Sequence, residues 1–270
     1  MFQIKFKNDS IGMVVMIEKI NEIVKQAGRI ALDYFGRVDV KYKEDSSVVT
    51  EADLKVENFL REKLTELIPS SGFLGEESVS DPDIFNKEFL WIVDPIDGTS
   101  SYCNNLPIWG VSVALFKDSK PYMAALYFPY IGDMFWVDDK GVAYERGRVM
   151  IPIKPDQEIR PDSFICIPSK IYYRCMMKVN IKARSFGATC YHILQAARDS
   201  AYATLIGDYK IWDLAAAVTV SEITGARIFN LAGEIVPLET YFNLGSDAEP
   251  LLLAHPDRVR KVLDKIVIIC

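Results

Sequence analysis

The chain has 270 residues, of which 50% are hydrophobic and 25% charged, with a formal net charge of −6 and a pI of about 5.1. This composition is typical of a folded globular protein with one large core or two smaller ones. An acidic chain without a basic run does not suit a nucleic-acid-binding surface, which needs clustered Lys and Arg, so we expect no nucleic-acid partner.

The cysteine and histidine content indicates the cellular compartment of the protein and limits the kinds of catalytic site that it can form. The five cysteines are odd in number and form no Cys-X-X-Cys pair, which indicates reduced thiols in a cytoplasmic protein. The first apolar run, residues 11–17, is too short to span a membrane, so we expect no membrane attachment. The only histidines are His192 and His255, which disfavours a His-rich metal site. Carboxylates must therefore carry any chemistry.

The first half of the chain reads as two helices followed by strands. Apolar residues recur at helical spacing over 11–35 and again over 50–67. Short buried strands are predicted at 73–76 and 89–94. Alternating β-rich segments with turn signals follow over 111–149, which indicates an antiparallel meander rather than βαβ crossovers.

In the second half, strands and helices alternate. Strands are predicted at 163–167, 202–206, 226–231 and 251–254, and helices at 189–197, at 213–224 and from Pro256 onward. The change of pattern near 150–160 divides the chain into an N-terminal α+β half, residues 1–152, and a C-terminal α/β half, residues 153–270.

The stretch 91-WIVDPIDGTSSY-102 places two aspartates directly after an apolar strand. Buried carboxylates are costly unless a positive group lies between them. Because Pro95 fixes one φ angle, Asp94 and Asp97 can converge on one point, with the carbonyl of Ile96 between them. We interpret this convergence as a metal site.

The next two residues add the features of an anion site. Gly98 allows close approach of the backbone, and Thr99 can begin a helix whose free N–H groups face the same place. Carboxylates that hold Mg²⁺ beside a helix start that receives an anion are what a magnesium–phosphate site requires.

Three further acids have simple structural explanations when each is taken alone. Glu76, beside Glu77, follows a predicted strand and fits a solvated turn. Asp53 occupies the acidic position of a capping box that opens the second helix. Asp213 opens a later helix, where a negative charge is favourable.

Taken together, four separated blocks resemble the inositol monophosphatase family of Mg²⁺-dependent, often lithium-sensitive phosphatases. The blocks are 50-TEAD-53, 75-GEES-78, 94-DPIDGTSSY-102 and 212-WDLAAA-217, in the family's order and at about its usual spacing. The resemblance implies a layered α/β/α/β/α sandwich of the sugar-phosphatase type, with an antiparallel meander sheet in the N-terminal half and a mixed sheet with helices in the C-terminal half.

The resemblance also implies roles for individual residues, with two or three Mg²⁺ ions per site. The implied metal ligands are Glu76, Asp94, the carbonyl of Ile96, Asp97, Asp213 and, for a third and weaker ion, Asp53. The implied catalytic residues are Glu76, Thr99 and Asp53, of which the last two position the attacking water. The implied substrate-binding residues are Asp97, Gly98, Thr99, Gly187, Ala188 and Thr189.

The implied activity is hydrolysis of a small polyol or sugar phosphate by metal-activated water, in a cytoplasmic homodimer that is sensitive to Li⁺. Fructose-1,6-bisphosphatase or dual activity is the first alternative; a 3′-phosphonucleotide phosphatase and a non-catalytic regulatory binding protein follow. The acid that often contacts inositol hydroxyls falls, by an ungapped count, on Ile206, although Asp208 replaces it if the loop shifts. Strict myo-inositol preference is therefore not expected.

Overall fold

The computed structural model describes residues 10–37, 41–42, 48–78, 82–155, 157–170, 176–238, 240 and 249–269. The helices in these ranges are α1 (Ser10–Tyr34), α2 (Glu51–Leu67), α3 (Thr99–Cys103), α4 (Thr189–Ala197), α5 (Ile211–Thr224) and α6 (Val259–Leu263). The strands of the first half are β1 (Lys41–Tyr42), β2 (Val48–Val49), β3 (Gly72–Gly75), β4 (Phe89–Asp97), β5 (Gly110–Lys117), β6 (Lys120–Phe128), β7 (Asp133–Val137), β8 (Ala143–Glu145) and β9 (Arg148–Val149). Those of the second half are β10 (Phe164–Cys166), β11 (Met176–Val179), β12 (Lys182–Arg184), β13 (Ala203–Ile206), β14 (Arg227–Phe229), β15 (Leu251–Ala254) and β16 (Ile266–Ile269).

The larger sheet has seven strands in sequence order, from β3 to β9. Only β3 and β4 are parallel, and each later neighbour runs antiparallel to the one before it. Short turns can join consecutive antiparallel strands, so the sequence order is kept across the sheet. The predicted meander is confirmed.

Strand β4 lies between two layers and buries both of its faces. Its side chains alternate: Trp91 and Val93 pack with helices α1 and α2, whereas Leu90 and Ile92 pack against the opposite layer. A strand that is covered on both faces has no polar side, which explains its unbroken apolar run.

The smaller sheet is mixed, with the strand order β12-β10-β13-β15-β14. Helices α4 and α5 lie between the two sheets and share one hydrophobic core with both of them. Helix α6 packs on the far side through Val259 and Val262. The layers are therefore α/β/α/β/α, as predicted. The candidate site residues can converge where helices α4 and α5, between the two sheets, meet strand β4.

Several predicted elements differ from the structure in extent. Strand β4 continues through Asp97 instead of ending at 94, with an irregular register between Asp94 and Asp97. The predicted helix from Pro256 is a 3-10 turn followed by the five residues of α6. The chain then forms β16, which pairs with β11 in a two-stranded sheet that the sequence pattern did not predict. The boundary at 152/153 stays a prediction.

Candidate active site

The DPIDG turn gives the site its shape. Asp94 still pairs with Ser112 of β5, but the register shifts before Asp97 pairs with Gly110. The main-chain N–H of Ile96 donates to the carboxylate of Asp94 at 3.0 Å, which fixes the turn locally. Gly98 then takes a left-handed conformation, with φ of 88°, and helix α3 begins at the next residue.

Three aspartates meet at this turn. Asp94, Asp97 and Asp213 each offer one carboxylate oxygen, and these oxygens all lie within 4.8 Å of one another. Asp94 and Asp97 are buried, and Asp213 is half-buried. Such close carboxylates repel one another in a medium of low dielectric constant, so the cluster requires a cation or protons to be stable.

The pKa shifts of the three aspartates reflect this repulsion and their burial. Burial, and secondarily the charge of neighbouring acids such as Glu76, raises the pKa of Asp94 well above its usual range. Burial raises the pKa of Asp97 and of Asp213 to about 7, although main-chain hydrogen bonds oppose the shift. Hard oxygen donors with this much uncompensated negative charge suit Mg²⁺.

Two helix starts hold the aspartates in position. The main-chain N–H groups of Thr189 and Cys190, at the start of α4, donate to the two carboxylate oxygens of Asp97 at 2.9 and 2.8 Å. The N–H of Lys210 donates to Asp213 at 2.6 Å at the start of α5. The second half of the chain thus orients a carboxylate that belongs to the first.

Asp53 completes the helix cap that its sequence position suggested and has a second carboxylate oxygen that the cap does not use. One oxygen accepts hydrogen bonds from the main-chain N–H and the hydroxyl of Thr50, at 2.7 and 2.6 Å, which completes the capping box of α2. The other oxygen is buried and has no hydrogen-bond partner among the residues that the structure describes. Burial raises the pKa of this carboxyl to about 6. An unpartnered carboxylate oxygen at this place fits a metal or its bound water.

A cavity of about 320 Å³ opens beside the cluster. Six of the predicted site residues line it: Glu76, Gly98, Thr99, Gly187, Ala188 and Thr189. The hydroxyl of Thr99 donates to the carbonyl of Ile96 at 3.1 Å, and no hydrogen bond joins Thr99 to Asp53 among the described residues. Glu76 lies outside the closest group of three aspartates, but its charge acts on Asp94 and Asp97.

The cavity wall also contains residues that sequence reasoning placed elsewhere or missed. Asp208 and Lys170 line the cavity, whereas Ile206 is buried in the core. His192 lines it too, and its Nε2 accepts a hydrogen bond from the N–H of Phe186 at 2.6 Å. Because His192 is buried, its pKa is lowered to about 4, and it is neutral near pH 7.

Glu57, for which no role was predicted, is buried and forms a hydrogen bond to the segment that contains Glu76. Only 4% of Glu57 is exposed, and its carboxylate accepts the main-chain N–H of Glu77 at 2.8 Å. It lies so close to Gly75 that a Cβ atom there would overlap it, and Arg61 forms an ion pair with it at 3.5 Å. On helix α2 this glutamate resembles any other charged residue, so no sequence pattern indicated its buried position.

The profile of one family, the inositol monophosphatase family, matches residues 15–261. The chain belongs to the inositol monophosphatase family. It is accordingly a phosphatase of the phosphoric monoester hydrolase class, and family membership together with the aspartate cluster confirms the predicted Mg²⁺ cofactor.

Individual relatives differ in the substrates for which they are named. The chain is 33% identical to an inositol-1-monophosphatase of Caulobacter vibrioides over 77% of this chain and 86% of the relative. It is 26% identical to a histidinol-phosphatase of Chlorobaculum parvum over 78% and 84%, and 27% identical to a fructose-1,6-bisphosphatase/inositol-1-monophosphatase of Aquifex aeolicus over 81% and 88%. A solved IMPase/NADP phosphatase, complexed with Mg²⁺ and phosphate, has the same fold, with a TM-score of 0.77, 19% identity and coverage of 94% of this chain and 95% of that one.

No described helix combines the length and apolar character needed to span a membrane. Cys103, Cys166 and Cys190 are free thiols, and Cys175 and Cys270 lie outside the described residues.

Proposed function

We propose that this phosphatase hydrolyses a small polyol or sugar phosphate of the inositol-1-phosphate type. The observation that carries the proposal is the group of three aspartates, whose carboxylate oxygens lie within 4.8 Å of one another, beside a cavity lined by residues of two glycine-containing turns. When bound, Mg²⁺ supplies an activated water and neutralises charge on the phosphate.

The protein residues bind and orient around that chemistry. Asp94, Asp97, Asp213, Glu76 and the carbonyl of Ile96 are the proposed ligands of two ions, and Asp53 is the proposed ligand of a third. The buried and unpartnered oxygen of Asp53 supports its assignment.

The substrate side of the proposal rests on the cavity wall. Residues 98–99 and 187–189 line the cavity, and the main chain at Gly98, Thr99, Gly187 and Ala188 is the proposed contact for phosphate oxygens, because the N–H of Thr189 already donates to Asp97. Thr99, which lines the cavity, and Asp53, whose second carboxylate oxygen is buried, are proposed to position the attacking water.

Phosphate release from a panel of esters tests this proposal. The panel contains inositol-1-phosphate, fructose-1,6-bisphosphate, histidinol phosphate and 3′-phosphoadenosine-5′-phosphate, each with Mg²⁺ and with EDTA, beside an Asp94→Asn variant. We expect fastest turnover of inositol-1-phosphate, dependent on Mg²⁺ and lost in the variant. Preference for the nucleotide, or no turnover of any ester by folded, Mg²⁺-loaded protein, would contradict it.

Fructose-1,6-bisphosphate is the second candidate substrate, alone or beside inositol phosphates. The Aquifex aeolicus relative is named for both activities, and Lys170 places a cation at the wall of the cavity, where a second phosphate could bind. Comparable kcat/KM values for the two esters in the same panel would favour a dual activity.

Three further properties of the protein are proposed from its family resemblance. They are a homodimer, a cytoplasmic location and inhibition by Li⁺ through replacement of the ion near Asp97 and Asp213. Light scattering tests the first property, and fractionation of cells tests the second. Unchanged turnover in Li⁺ at tens of millimolar would contradict the third.

A further inference from the structure

A second cavity, of about 650 Å³, lies at the open edge of the larger sheet, away from the active site. Strand β9 and the segment that follows it form one wall, and the residues after helix α4 form the other. This cavity, here called the distal cleft, shares no described residue with the lining of the active-site cavity. The two cavities are therefore separate.

The distal cleft contains four cationic side chains: Arg146, Arg148, Lys154 and Arg198. Two of them are neutralised within the fold, since Arg146 pairs with the buried Asp133, and Arg198 pairs with Glu145 at 3.0 Å. These pairs fix the walls of the cleft and leave little net charge of their own.

The remaining acid of the cleft is neutralised as well. Asp199 pairs at 2.7 Å with Arg258, of which only 1% is exposed. The same guanidinium donates to the main-chain carbonyl of Lys154, which holds that segment in place. Among the ion pairs formed by described residues, none involves Arg148 or the Lys154 side chain. Two exposed cations thus line the cleft without an acidic partner in the described part of the chain.

The shape and the apolar wall indicate a small molecule. A volume of several hundred Å³ is typical of small-molecule sites. Val149 and Ile151 are 61% and 79% exposed, which is unusual for large aliphatic side chains and offers apolar surface next to the two cations. Guanidinium and ammonium groups bind phosphate oxygens through strong, charge-assisted hydrogen bonds.

We propose that the distal cleft is a second ligand site, which binds a small phosphorylated anion through Arg148 and Lys154. The site lies at the opposite end of α4 from Asp97. The nine residues of that helix span about 13 Å, so the two sites can be studied separately.

Binding of pyrophosphate in EDTA tests the proposal by calorimetry. Without metal, the acidic cluster of the active site repels anions, so saturable binding reports another site. We expect wild type and the control Lys87→Ala/Lys120→Ala, which removes two exposed cations elsewhere, to bind equally. The double variant Arg148→Ala/Lys154→Ala should bind at least about 10-fold more weakly, because two charge-assisted contacts are lost.

Both side chains of the double variant are exposed, and thermal unfolding checks that its fold is intact. An Asp94→Asn variant should bind pyrophosphate like wild type. The proposal is overturned by the absence of saturable wild-type binding up to about 10 mM. Equal affinity in the double variant, or an affinity that changes in Asp94→Asn, would overturn it too.

Discussion

The carboxylate of Asp97 accepts a hydrogen bond from the main-chain N–H of Cys190, 2.8 Å away and 93 residues further along the chain. Asp97 ends strand β4, and Cys190 lies in the first turn of α4. The hydrogen bond thus connects the larger sheet to a helix of the layer between the two sheets. The aspartate cluster depends on the docking of these layers, and perturbing their contact should change metal binding and stability together.

A substitution at Gly98 tests most simply whether the aspartate cluster depends on the contact between these layers. Its φ of 88° disfavours any side chain, and a Cβ atom would lie 2.8 Å from the carbonyl oxygen of Gly187. Gly98→Ala should therefore push the two turns apart, with at least about a 10-fold loss of kcat/KM and a stability loss of about 2 kcal/mol or more. Enzyme assays and denaturant unfolding provide the measurement.

Gly132→Ala is the matched control, because Gly132 also has a positive φ, of 70°, but nothing lies within 4 Å of the added Cβ. It should carry only the backbone strain, about 1–2 kcal/mol, with unchanged activity. Equal effects of the two substitutions would show that the contact between the turns does not matter.

The stability of the metal-free protein should fall as the pH rises. Burial raises the folded-state pKa of Asp53 to about 6 and of Asp97 and Asp213 to about 7, above the 3.8 of an ordinary Asp. Their stabilising contribution is complete below about pH 4 and is lost as the pH passes through 6–7. The contribution of His192 to stability has the opposite pH dependence. It increases between about pH 4 and 6.5, because burial lowers the pKa of His192 in the folded state.

Above pH 6.5 the opposing contribution of His192 approaches completion while the buried carboxylates continue to ionise, so the melting temperature in EDTA should decrease between pH 6.5 and 8. Mg²⁺ requires ionised ligands, and its stabilising effect should increase over the same range. Thermal unfolding with EDTA or Mg²⁺ measures both trends. A melting temperature in EDTA that rises from pH 6.5 to 8 would count against the buried cluster.

Glu57 should affect metal affinity without being a ligand. Replacing it with Leu removes the acceptor of the Glu77 N–H and releases the segment that carries Glu76. We expect Mg²⁺ affinity to fall about 10–100-fold, as for other residues that orient a metal ligand. Glu57→Gln keeps an acceptor of the same shape and should recover most of the affinity, which calorimetric Mg²⁺ titration can measure. Equal losses in both variants would indicate that the hydrogen bond is not the cause.

Asp208 should influence substrate choice more than chemistry. It lines the cavity but does not belong to the aspartate cluster. Asp208→Asn should raise KM for inositol-1-phosphate about 10-fold, the value of a charge-assisted hydrogen bond, with little change in kcat. Asp162→Asn, at a carboxylate that is 73% exposed, serves as the control. A fall in kcat alone would place Asp208 in the chemical step instead.

The sequence predicted the main helices, the meander and the acidic blocks because these depend on local patterns, whereas the order of the layers followed from the family resemblance. The unbroken apolar run of β4 and the helical spacing of α2 are visible without any tertiary information. Asp94 and Asp97 could be paired because only Ile96 and a proline separate them. The position of Asp213 in the same cluster followed from the family blocks and not from spacing.

The parts that were missed depend on long-range packing. The carboxylate of Glu57 reaches the chain 20 residues later, and Cys190 reaches Asp97 across 93 residues. An ungapped count pointed to Ile206, which is buried in the core, whereas Asp208, two residues later and with a left-handed φ of 49°, lines the cavity. Loop geometry of this kind has no simple signature in composition or periodicity.

A crystal structure with Mn²⁺ and phosphate, with anomalous scattering recorded for Mn²⁺, tests the central claim most directly. We expect anomalous peaks coordinated by the carboxylates of Asp94, Asp97 and Asp213, with phosphate in the adjoining cavity next to Gly98 and Thr99. Absence of metal from the aspartate cluster in crystals that contain Mn²⁺, or metal bound only elsewhere, would contradict the proposed site.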